Sequence, residues 1–98
     1  MLNVTAPRVA VGPVLRDSAC QAIRDGGGEP TGVNAAADAL VWLDPADTGG
    51  LRRALAVASS ARWVQLPMAG VERVATAGIL DPGRTWTSAK GAYAEPVA

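Results

Sequence analysis

The sequence predicts an α/β chain built on an open, mainly parallel sheet of about five short strands with helices on both faces. Three observations predict it. Short apolar runs alternate with segments whose apolar residues recur at helical spacing. One run, Ala39-Leu40-Val41-Trp42-Leu43, is apolar throughout, the pattern of a strand buried on both faces. Gly or Pro marks most of the junctions between these segments, where a chain must turn.

In order along the chain, Arg8-Val9-Ala10-Val11-Gly12 reads as the first strand. Gly12-Pro13 ends it, with Pro13 suited to the first turn of a helix. Leu15, Ala19, Ala22 and Ile23 then recur at helical spacing, and Gly26-Gly27-Gly28 stops the helix. Residues 29–33 read as a short edge strand, and a polar link through Asn34 leads to the strand at 39–43. Asp44-Pro45 ends that strand. Asp47 or Thr48 can cap the following helix, whose stripe is Leu51, Leu55 and Ala58, with Arg52 and Arg53 toward solvent. Arg62 to Leu66 is the next strand, stopped by Pro67. A short helix is expected from Gly70 to Ala77, a turn at Asp81-Pro82-Gly83, and a last strand from Arg84 to Ser88.

The 98 residues suffice for one domain, and the apolar share, 49%, is rich in Ala and Val and contains no Phe. The core must therefore be built largely from small side chains. Nine basic residues balance nine acidic ones and neither sign forms a block, which argues against a nucleic-acid surface or a polybasic membrane anchor. No run approaches the roughly 20 apolar residues of a membrane span, and the expected location is the cytoplasm. Cys20 is the only cysteine, so no intrachain disulfide forms, and it reads as a small buried hydrophobe.

The chain contains no His. Imidazole acid/base catalysis, His-activated nucleophiles and His-ligated zinc are therefore excluded within it. Gly26-Gly27-Gly28 is followed by Glu29-Pro30, which matches neither a dinucleotide fingerprint nor a phosphate-cradling loop. The informative segment is Leu66-Pro67-Met68-Ala69-Gly70-Val71-Glu72, where a strand's carboxyl end meets a helix start. The first amides of a helix lack backbone acceptors and sit at the positive end of its dipole, so they can hold a carboxylate. Gly70 lets a ligand approach the backbone, or serves only a tight turn. Leu43 and Asp44 follow another strand's carboxyl end, where ligands bind in open sheets, and are candidate cleft residues together with Tyr93.

Met68-Ala69-Gly70-Val71-Glu72, together with the stretch from Ala89 to Ala98 (Ala-Lys-Gly-Ala-Tyr-Ala-Glu-Pro-Val-Ala), resembles the substrate domain of the D-isomer-specific 2-hydroxyacid dehydrogenases, a family that includes phosphoglycerate dehydrogenase. Element order matches over the whole chain, specific residues only over its last third. The resemblance implies a flavodoxin-like fold in which the backbone amides of Ala69 and Gly70 face the substrate carboxylate, with Met68 and Val71 beside them. Glu72 stands where the family usually has Asp and keeps an acid in the helix's first turn.

The resemblance also implies that the arginine, its acidic partner, the histidine and the NAD-binding glycines all lie beyond Ala98. Residues 1–98 are then expected to be a truncated substrate-binding domain without its NAD-binding domain, catalytically inactive alone and binding no cofactor. The full-length enzyme would use NAD or NADP on a small 2-keto or 2-hydroxy acid. Faces left open by the truncation are expected to favour a homodimer or other self-association. The alternative from another class is a free-standing, non-catalytic small-molecule-binding or interaction module on the same sheet.

Overall fold

The strands of the computed structural model lie in the order β2-β1-β3-β4-β5-β6 and comprise β1 (Arg8–Gly12), β2 (Glu29–Thr31), β3 (Ala39–Trp42), β4 (Trp63–Leu66), β5 (Thr85–Ser88) and β6 (Gly91–Ala92). The structure describes residues 6–44, 46–67, 75, 76, 78, 79, 81–88, 91 and 92. β1 to β5 are mutually parallel, and β6 runs antiparallel to β5. This is the doubly wound, flavodoxin-like order expected from the sequence. β6 is an addition to it: two residues are too short for any periodicity to announce.

Helix α1 (Asp17–Asp25) follows β1, and α2 (Thr48–Val57) follows β3. Side chains alternate across a strand, so each strand serves both faces of the sheet. Ala10, Leu40, Trp42, Val64, Leu66 and Trp86 point to the α2 side and pack with Leu51, Ala54 and Leu55 of that helix into the main core. Val9, Val41, Trp63 and Gln65 face the α1 side, beside Ala19, Ala22 and Ile23. Right-handed crossovers from neighbouring strands place the two helices on opposite faces in this way.

α2 is the better-specified helix. Its apolar residues Leu51 and Leu55 and its C-cap Ala58 are buried as the spacing requires, and Asp47 is its N-cap, accepting a hydrogen bond at Oδ1 from the amide of Gly50 at 2.8 Å. Removing that acceptor with Asp47→Ala is expected to cost about 1 kcal/mol, read as a lower urea midpoint at unchanged slope. No loss of stability would show that the amide is equally well satisfied by water.

α1 departs from the expected boundary. Pro13 does not open it: Arg16 is extended, at φ −92 and ψ 133, and the helix begins at Asp17, whose carboxylate suits the positive dipole end. Val14 and Leu15 are consequently exposed, at 60% and 51%, and Leu15 contributes nothing to the helical stripe. The glycine stop is as expected, with Gly27 taking the positive φ of 95° and the amide of Gly28 closing on the carbonyl of Ile23 at 2.9 Å.

Residues 32–38 carry the chain from β2 across to β3 without a helix, although a parallel connection usually takes about a dozen residues or more. Asn34 makes this possible. Its Nδ2 donates to Thr31 Oγ1 and to the carbonyl of Gly32, and its Oδ1 accepts the amide of Ala36. Ala37 is then fully buried, and Asp38 locks the crossover to β1 by accepting the Arg8 amide while donating its own amide to the Arg8 carbonyl.

Among the described residues the two faces are not equally covered. α1 packs against β1 and β2, and on its side of the sheet β3, β4 and β5 present Val41, Trp63, Gln65 and Thr87. Three strands at about 4.8 Å spacing span about 10 Å, the width of one helix. Trp63 is 45% exposed there, and its indole N–H donates to Thr87 Oγ1 at 2.7 Å, whose hydroxyl in turn donates to Gln65 Oε1. Among the described residues no helix is long and apolar enough to cross a membrane.

Candidate functional site

In an open parallel sheet ligands bind outside the carboxyl ends of the strands, at the point where successive connections leave toward opposite faces. Here that point lies between β1 and β3, since the chain leaves β1 toward α1 and β3 toward α2. Gly12 and Trp42 are register partners at this crest, and the amide of Leu43 donates to the Gly12 carbonyl at 2.8 Å. β4 ends one strand further along at Leu66, followed by Pro67.

Leu43 and Asp44 follow the end of β3 at this crest, both half-buried. Asp44, however, is committed to the backbone. Its carbonyl accepts the Trp42 indole N–H at 2.9 Å, and its Oδ1 accepts the amide of Ala46 at 3.0 Å. This Asx turn aims the chain into α2. Asp44 thus shapes the crest through these two bonds. Met68, Ala69, Gly70, Val71, Glu72 and Tyr93 lie outside the described residues.

Beside the crest runs an open groove of about 290 Å³ between α2 and the β2–β3 crossover, lined by Pro13, Val33, Trp42, Asp47, Arg53 and Val57. Among the described residues no helix fills the space on that side of α2, where the β2–β3 crossover lacks one. The sequence reading assigned Arg53 to solvent, and its side chain is indeed exposed, but it also rims this groove with no acidic partner among the described residues. Nothing in the one-dimensional pattern signals the groove, because it depends on the crossover at 32–38 being short. Asp47 already satisfies the Gly50 amide at that end of α2, so the helix terminus itself offers an anion little.

Two other hollows are chemically different. One of about 450 Å³ lies under α1 against Val9, Val41, Trp63 and Gln65, apolar and without a charged side chain. The other, about 340 Å³, lies at the amino ends of β4 and β5 among Ser59, Ser60, Arg62 and Arg84, opposite the ligand edge. Arg84 is spent there on structure: its Nε donates to the Ala61 carbonyl at 2.8 Å and its guanidinium pairs with Asp81 at 3.3 Å.

Among the described residues every buried side-chain nitrogen and oxygen has a hydrogen-bond partner, and no three carboxylate or thiol groups come together as a metal-binding set. The run Gly26-Gly27-Gly28 follows a helix and leads into β2, the reverse of the strand-turn-helix arrangement that cradles a dinucleotide pyrophosphate. That run is therefore a helix stop and not a dinucleotide loop. No family model, no curated protein and no solved structure matches this chain.

Proposed function

We propose that this domain is the acid-binding portion of a cytoplasmic NAD(P)-dependent oxidoreductase of the D-2-hydroxyacid dehydrogenase type, acting on a small 2-keto or 2-hydroxy acid. One observation carries the reading: β4, a strand in the interior of a parallel sheet, ends at Leu66-Pro67 on the carboxyl edge, one strand from the β1–β3 switch point, so the chain leaves β4 on the edge where such sheets bind ligands. In this reading the amides of Ala69 and Gly70 orient the substrate carboxylate, Met68 and Val71 flank it, and the crest at Leu43 forms part of the wall.

The chain's own contribution is binding and orientation. With no His it has no imidazole to exchange a proton with the substrate oxygen, and with no dinucleotide loop it holds no nicotinamide. The cofactor, bound by other residues, supplies or accepts the hydride. Holding the acid in one orientation is what a second domain needs in order to react with it productively.

The test is a titration of the isotopically labelled chain with pyruvate or glyoxylate, followed by amide chemical shifts. Saturable shifts are expected at residues 68–71, with Gly70→Val weakening binding at least about tenfold, roughly 1.4 kcal/mol, because a branched side chain would cover the amides. Equal affinity in Gly70→Val, or shifts confined to the groove at Arg53, would remove the loop from the assignment.

A further inference from the structure

No further inference is drawn: the strongest candidate, the apolar strip of the sheet beside α1 where Val41, Trp63 and Gln65 face outward, carries none because nothing in the structure shows what covers it.

Discussion

Leu40→Ala is expected to destabilise the domain by about 3–5 kcal/mol, the upper part of the range for a buried leucine. Leu40 is fully buried in β3, with Ala10 of β1 and Val64 of β4 as its register partners and Leu51 and Leu55 of α2 in the same cluster. The cost of such a truncation depends on how far the surroundings can collapse into the space. Here they collapse little. The flanking residues are small, branched or fixed in hydrogen-bonded strands, the chain contains no Phe, and none of the cluster among the described residues is Met, the side chain best able to refill a void.

A domain of this size is stable by about 5–15 kcal/mol in total, so the variant should unfold at a much lower urea concentration with its slope unchanged. Val57→Ala, at a residue 50% exposed at the end of α2, is the control and should cost less than about 1 kcal/mol. Equal losses at the two positions would mean that α2 is not packed on the sheet as described.

The elements that could be read from the sequence are those whose signal is local. β1 and β3 are continuous apolar runs bounded by Gly12 and Asp44, and α2 announces itself by Leu51, Leu55 and Ala58 one to two turns apart behind an Asp cap. β4 and β5 each start one residue later than expected, at Trp63 and Thr85, a difference within the fraying of strand ends. The start of α1 was misplaced because Leu15 has the right spacing for the stripe, yet spacing is blind to whether the backbone at Arg16 has turned helical.

The crest was legible through general topology, since strand ends in a parallel sheet are set by strand order and Asp44-Pro45 marks one of them. The role of Asp44 was not, because the Asx turn and the Trp42 indole bond that occupy it are decided in three dimensions. The groove at Arg53 was hidden for the same reason. It is made by a connection that lacks a helix, and residues 32–38 carry no pattern that reveals how tightly Asn34 folds them.

The crest itself can be tested through Gly12→Val, expected to cost about 3 kcal/mol by overpacking. Gly12 has no positive φ, so the penalty is steric and not a matter of backbone preference. A Cβ there would lie 2.7 Å from Cζ3 and 3.0 Å from Cε3 of Trp42, and 3.3 Å from Cγ2 of Val33. The indole cannot simply swing aside: the ring is buried, and its N–H is held by the Asp44 carbonyl. The strain should therefore fall on the β1–β3 register at the very point where the chain turns toward the two helices. Trp42→Leu makes room for the added methyls, so the two substitutions should be non-additive, with the double variant recovering about 1–2 kcal/mol of the summed loss. Additive losses in that cycle would show that Gly12 and Trp42 do not meet, and the arrangement of the ligand edge described above would have to be abandoned.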